Sequence, residues 1–139
     1  MTYEKQLPGI DSDTAPYWQA AREHRLSLMR CTTTGNYIHP PGPGSPFTGT
    51  DETEWVDLGQ DITGSVYSFI VVYRAFARGF AKDVPYVTAV VDVDQAPGAR
   101  IIANIIGVDP EDVAIGSRCK MHWVDVTEDM TLPQWELIG

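Results

Sequence analysis

From residue 54 onward the chain alternates between apolar and polar positions in short runs. The runs are 55–58, 64–74, 86–94, 100–108, 117–126 and 132–137. They are rich in Val, Ile, Tyr and Trp, and the breaks between them carry Gly, Pro and Asp, which predicts successive β-strands. A further strand is predicted at 25–31, where Leu26 and Leu28 fall on one side and Ser27 and Met29 on the other. Before it the period changes. Trp18, Ala21 and Arg25 recur at helical spacing, with Tyr17, Ala20 and His24 beside them, so 15–24 is expected to be a short amphipathic helix. Asp13 or Thr14 can cap it, and Pro16 suits its first turn. Residues 1–12 read as an extended polar arm. Asp109-Pro110-Glu111-Asp112 supplies a cap, a first-turn proline and first-turn acids for one helical turn closed at Gly116. Five strands with a short helix between the third and fourth is the order of an OB-type Greek-key barrel. A small β-sandwich is the competing architecture.

The stretch 32–53 breaks this pattern. Pro40, Pro41, Gly42, Pro43, Gly44 and Pro46 crowd together, which excludes a regular helix or a central strand. The chain thus divides into an arm and helix (1–30), a turn-rich lobe (31–58) and a barrel (59–139). Its 139 residues fit one compact unit or two small lobes sharing a core. The formal charge is −9, and so acidic a surface repels a phosphate backbone. Two cysteines, Cys31 and Cys119, make no disulfide framework, so the expected compartment is the reducing cytoplasm. No apolar run approaches the ~20 residues of a membrane helix, and the first ten residues lack the pattern of a secretory signal.

Catalytic constellations are missing: there is no GxSxG, HExxH, P-loop or dinucleotide fingerprint. His24, His39 and His122 read as structural or solvated. Cys119 lies between Arg118 and Lys120, but strand alternation turns it away from both, toward a buried and inert position. Cys31 has no evident base. One segment is locally exceptional. Residues 73–82, Tyr-Arg-Ala-Phe-Ala-Arg-Gly-Phe-Ala-Lys, gather three of the ten basic residues with three aromatics. Arg74, Arg78 and Lys82 can pair with phosphate, while Phe76 and Phe80 can stack on rings or line an acyl channel. An oligonucleotide surface and a coenzyme A contact both fit these residues, and the net charge favours the small ligand. The alternative is a solvated loop with its Phe rings turned inward.

Several motifs together resemble the DUF35 family. They are Trp18 in its helix, Cys31-Thr32-Thr33-Thr34-Gly35, Tyr37-Ile38-His39-Pro40-Pro41, Ser45-Pro46-Phe47-Thr48-Gly49-Thr50, Glu54-Trp55-Val56, Gly64-Ser65-Val66-Tyr67-Ser68-Phe69, Asp83-Val84-Pro85-Tyr86, and 107–113 followed by Ile115-Gly116. The resemblance implies an N-terminal helix, a rubredoxin-like zinc ribbon and a C-terminal OB-fold. It also implies a non-catalytic accessory subunit of a thiolase-superfamily enzyme, a thiolase or retro-aldolase acting on an acyl-CoA. The CoA thioester would be the substrate of the complex, and α2β2 is one stoichiometry that would suit it. A single-strand nucleic-acid binder is the alternative. The partner-facing residues would be Tyr17, Trp18, Tyr37, Pro40 and Pro41, although Tyr17 and Trp18 could equally pin the helix to its own domain. In one respect the chain departs from the family. Of the paired knuckles CxxC and CPxC it keeps only Cys31, with Thr34, Ser45 and Thr48 in the other three positions. An alcohol is a poor substitute for thiolate at structural zinc, and His39, Asp51 and Glu52 are the only candidates to complete a site. The expectation is a metal-free lobe held by prolines, by hydroxyls and by a cluster of Tyr37, Ile38, Phe47 and Trp55.

Overall fold

The computed structural model describes Tyr3 and residues 5–139. Helix α1 spans Ala15–Arg22. It ends two residues before the expected His24 because the N–H groups of Glu23 and His24 turn back onto the Ala20 and Ala21 carbonyls and His24 adopts φ +59°. Its start is tied by neither expected capping contact. The Asp11 carboxylate accepts from the N–H groups of Asp13 and Thr14, and the Thr14 hydroxyl accepts from the Asp11 N–H.

Strand β1 (Leu26–Cys31) lies between β2 (Tyr37–Ile38) and β3 (Thr53–Gly59), antiparallel to both. This three-stranded sheet includes β1, so a boundary after residue 30 would cut through it. Both faces of β1 are covered. Leu26 and Leu28 enter the main core, while Met29 and Cys31 join Ile38 and Trp55 in a second, smaller one. That corrects the expected cluster. Phe47 stays 50% exposed, Tyr37 leans on the main core, and the alternation of β1 delivers Met29 and Cys31 in their place.

The barrel consists of β4 (Thr63–Val72), β5 (Tyr86–Val93), β6 (Arg100–Ile105), β7 (Arg118–Asp125) and β8 (Thr131–Leu137). It closes in the order β4-β5-β6-β8-β7, with β7 returning to β4. This closed order is the OB arrangement and removes the sandwich alternative. Strand β4 serves two neighbours at once, since Gly64 stands opposite both Val93 and Cys119. A side chain there would sit 2.4 Å from the Asp92 carbonyl oxygen, so only glycine permits the crossing. A bulge at Tyr67 bends the strand further. Ile62, Val66, Val87, Val91, Ile101 and Trp135 fill the interior. A short 3-10 turn (Pro110–Asp112), whose Glu111 N–H is capped by Asp109 at 3.1 Å, connects β6 to β7 as expected. Strands β4 to β7 end one to three residues before their apolar runs do, Tyr73, Ile106 and Val108 leaving the ladder while remaining apolar, whereas β8 ends with its run at Leu137. No helix among the described residues is long and apolar enough to cross a membrane.

Candidate functional site

Two places concentrate unusual chemistry. The first is the pair of turns in the ribbon lobe. In one, the Gly35 N–H donates to the Cys31 carbonyl at 2.8 Å; in the other, the Gly49 N–H donates to the Ser45 carbonyl at 2.9 Å. Both glycines have positive φ, +77° and +73°. The two turns therefore repeat one geometry, with Cys31 and Thr34 in equivalent positions to Ser45 and Thr48. The Cys31 thiol is fully buried between them. Hydrogen bonds from the Ser45 and Thr34 hydroxyls favour its thiolate and draw its pKa down to about 7. Ser45 Oγ accepts from the Phe47 N–H at 3.2 Å, Thr34 Oγ1 from the Asn36 N–H at 3.2 Å, and Thr48 Oγ1 from the Thr50 N–H at 3.3 Å.

This donor set does not fit a structural zinc ion. The Cys31 thiol meets two alcohols, Ser45 and Thr34, while the Thr48 hydroxyl pairs with that of Thr50 at 2.8 Å, and no group of three or more His, Cys, Asp or Glu that could hold a metal exists among the described residues. His39 turns away to pack on Tyr17, 5.4 Å between rings, and the Glu52 carboxylate accepts from the Thr33 hydroxyl at 2.5 Å.

The second place is the loop joining β4 to β5. Seven of the ten cations form ion pairs: Lys5 with Asp83, Arg22 with Asp129, Arg25 with Glu23 and Asp57, Arg30 with Glu54, Arg100 with Asp92, Arg118 with Asp94 and Lys120 with Glu136. Among the described residues the three without a carboxylate partner are Arg74, Arg78 and Lys82, all in this one loop. The Arg74 guanidinium lies 6.0 Å from the Phe76 ring, which is 82% exposed. Phe80 is half-buried, packed on Tyr86 at 5.6 Å and covered by Lys5. The five expected contact residues therefore share one loop, and Phe76 does not turn inward.

The residues expected to face a partner differ in burial. Tyr17 is buried in the main core, edge-on to Trp18 at 4.9 Å, so the structure corrects its partner-facing assignment: this ring pins the helix to its own domain. Burial raises its hydroxyl pKa well above the ordinary tyrosine range. Trp18, Tyr37 and Pro41 are half-buried and Pro40 is exposed. Of the other chemistry-bearing groups, Cys119 is buried, donates to the Gly64 carbonyl and has its pKa pushed up to about 11 by desolvation. His24 is not a plain surface residue. Its ring stacks on Trp123 and hydrogen-bonds Asp125 at 2.9 Å, joining α1 to β7.

A three-stranded ribbon with two knuckle turns, joined through a doubly buried strand to a closed five-stranded barrel, defines a ribbon-plus-OB-fold protein. Residues 18–44 match the family model of the ChsH2 rubredoxin-like zinc ribbon domain, and residues 55–124 that of the ChsH2 C-terminal OB-fold domain. The chain belongs to the DUF35 family. It is 30% identical over 113 residues to a DUF35 domain-containing scaffold protein of Methanocaldococcus jannaschii, covering 81% of this chain and 77% of that protein. It is 33% identical over 126 residues to a probable enoyl-CoA hydratase alpha subunit of Thermomonospora curvata. That match takes in 91% of this chain but spans only 38% of the hydratase subunit. Among solved structures, a chain of the Ltp2-ChsH2(DUF35) aldolase superposes with a TM-score of 0.80 at 31% identity, covering 94% of this chain and 98% of that one.

Proposed function

We propose that this chain is a non-catalytic accessory subunit of a heteromeric, acyl-CoA-processing complex whose catalytic partner is thiolase-like, and that the β4–β5 loop contacts the coenzyme A portion of the thioester. The observation that carries the reading is the segregation of charge. In a chain of net charge −9, the three cations without a carboxylate partner among the described residues are Arg74, Arg78 and Lys82, beside the exposed ring of Phe76. Coenzyme A carries a diphosphate, a further phosphate and an adenine ring. Guanidinium groups bind phosphate oxygens with paired, charge-assisted hydrogen bonds, and an exposed Phe offers the adenine a stacking face. The likeness to a hydratase alpha subunit and to a chain of an aldolase supports placing the chemistry in a complex rather than in this chain alone. The nucleophiles agree with that view. Both thiols are buried, and the half-buried His39 has its Nδ1 buried and unpartnered among the described residues.

The test is a complex assembled by co-expression with a thiolase-like protein encoded beside it. Arg74→Glu combined with Arg78→Glu should raise the KM for the acyl-CoA by about tenfold or more while the complex stays assembled on gel filtration. An unchanged KM removes the loop from the site. Failure of any such complex to form removes the accessory role. Binding of single-stranded DNA that survives physiological salt would favour the nucleic-acid alternative.

A further inference from the structure

The barrel is closed and has no free edge, but the ribbon sheet ends on two edge strands. Strand β2 is two residues long and runs within two residues into Pro40 and Pro41, which cannot donate to a ladder. Strand β3 is seven residues long, and among the described residues it pairs with β1 alone. Two hydrogen bonds fix which of its groups point outward. The Cys31 N–H donates to the Asn36 carbonyl at 2.8 Å, on the β2 side, and the Thr32 N–H donates to the Glu52 carbonyl at 3.0 Å, on the β3 side. Alternation along the antiparallel ladder then turns the backbone groups of Glu54 and Val56 toward β1, and those of Thr53, Trp55 and Asp57 away from it. Near the ends of the strand the N–H groups are satisfied within the chain: that of Thr53 donates to the Asp51 carbonyl, and that of Gly59 to the Asp57 carboxylate, both at 2.9 Å. Between them stand the N–H and carbonyl groups of Trp55 and Asp57, without a hydrogen-bond partner among the described residues. Such a row is a template for another strand.

We infer that β3 pairs with β3 of a second copy of this chain, antiparallel and about a two-fold axis at Val56, so that two ribbon sheets join into one continuous sheet. The open groups select this occupant. They lie symmetrically about Val56, so a reversed copy offers an acceptor to every donor: Trp55 of each copy exchanges both of its bonds with Asp57 of the other. In this register the neighbouring groups of Thr53 and Gly59, already engaged within the chain, bound the new ladder. Charge permits the approach. The two acids of the strand arrive already paired to a guanidinium, Glu54 to Arg30 and Asp57 to Arg25 at 2.6 Å. The register sets each of them opposite an apolar residue, Glu54 against Leu58 and Asp57 against Trp55, so no acid faces an acid. The ribbon also has the most to gain. Its own core is only Met29, Cys31 and Ile38 with Trp55 packed on them, and added strands steady a small sheet. The inference is independent of the role proposed for the β4–β5 loop.

Sedimentation equilibrium of the purified chain, from about 10 μM to about 1 mM, tests it. So short a ladder makes a weak dimer, with a Kd on the order of 100 μM, so the molar mass should climb from that of one chain toward that of two. Each copy carries a net charge of −9, so association should tighten as salt screens the repulsion. Asp57→Pro removes an outward N–H that an edge strand can spare and should leave a monomer, while Asp57→Ala, which keeps the N–H, should still associate. Val56→Cys lies on the axis and should cross-link to itself on mild oxidation, whereas Glu54→Cys, four residues out of register with its own copy, should not. A chain that stays monomeric at about 1 mM overturns the inference. So does a dimer that weakens with salt, or one that Val56→Cys fails to cross-link. Should the proline variant not fold, amide hydrogen exchange of the unaltered chain decides. The Trp55 and Asp57 amides should slow at least about tenfold between the dilute and concentrated samples while the Val56 amide, already bonded to β1, is unmoved. Protection of those two amides only when a different protein is added would give the edge to that protein and refute the self-pairing.

Discussion

The barrel and the ribbon sheet hold short strands in register by different means. In the barrel, Ile62, Val66, Val87, Val91, Ile101 and Trp135 form one continuous interior, and Trp135 stands where β6, β7 and β8 meet. The ribbon sheet has only Met29, Cys31 and Ile38, with Trp55 packed against them. A metal usually supplies what so small a core lacks, on the order of 10 kcal/mol in zinc-finger peptides. Around that core lie turn hydrogen bonds and a buried thiol. Cys31–Gly35 and Ser45–Gly49 keep the same carbonyl-to-glycine bond with a single thiol between them, a donor set that does not fit zinc. The borrowed stability comes through β1, whose other face belongs to the main core.

The sharpest way to break this contrast is to restore the ligands. Thr34→Cys, Ser45→Cys and Thr48→Cys together should create a tetrathiolate site binding one zinc ion. Thermal stability should then rise on adding zinc and fall on adding chelator, by several degrees or more, whereas the unaltered chain should ignore both. Stoichiometric zinc in the unaltered chain, measured by elemental analysis, would contradict the argument. Next in size, Trp135→Ala should cost about 3–5 kcal/mol in urea unfolding, because it opens the barrel where three strands join.

An acid limit distinguishes the lobe from the barrel. Burial holds the His39 imidazole neutral, with its pKa lowered to about 4 from the usual 6.5. The unfolded chain takes up that proton first, so this contribution is complete above pH 6.5 and is lost as pH falls from 6.5 to 4. The expected loss is up to about 3 kcal/mol, read as a falling unfolding midpoint. His39→Gln should flatten that part of the profile. The smallest effect is expected from Ser45→Ala. It removes a hydroxyl bonded to the Cys31 sulfur and the acceptor of the Phe47 N–H, at about 1 kcal/mol.

The sequence made much of this legible. Strands β4 to β8 alternate clearly because one face of each is buried, and the four knuckle positions follow from the resemblance to the family's paired CxxC and CPxC pattern. Other features depend on contacts between distant segments. Periodicity marks Tyr17 as apolar but does not say that its ring faces its own core. It likewise cannot say that Phe47 is left outside while Met29 goes in. Strand β2, two residues long, is too short to show a period. The contrast among the described residues between seven paired cations and three without a carboxylate partner exists only once Asp57, Asp94 and Glu136 are brought to their partners. The contact between Lys5 and Asp83 was not legible at all, since the two lie more than seventy residues apart.

That division of charge has a dynamic consequence. With its other cations paired to carboxylates and a net charge of −9, the molecule presents a local positive pole at the β4–β5 loop. An approaching anion is turned toward that pole before any atom touches, and out of reach of the rest. At physiological ionic strength this guidance extends only about 8 Å, so it should fade steeply as salt rises and leave the final docking to shape.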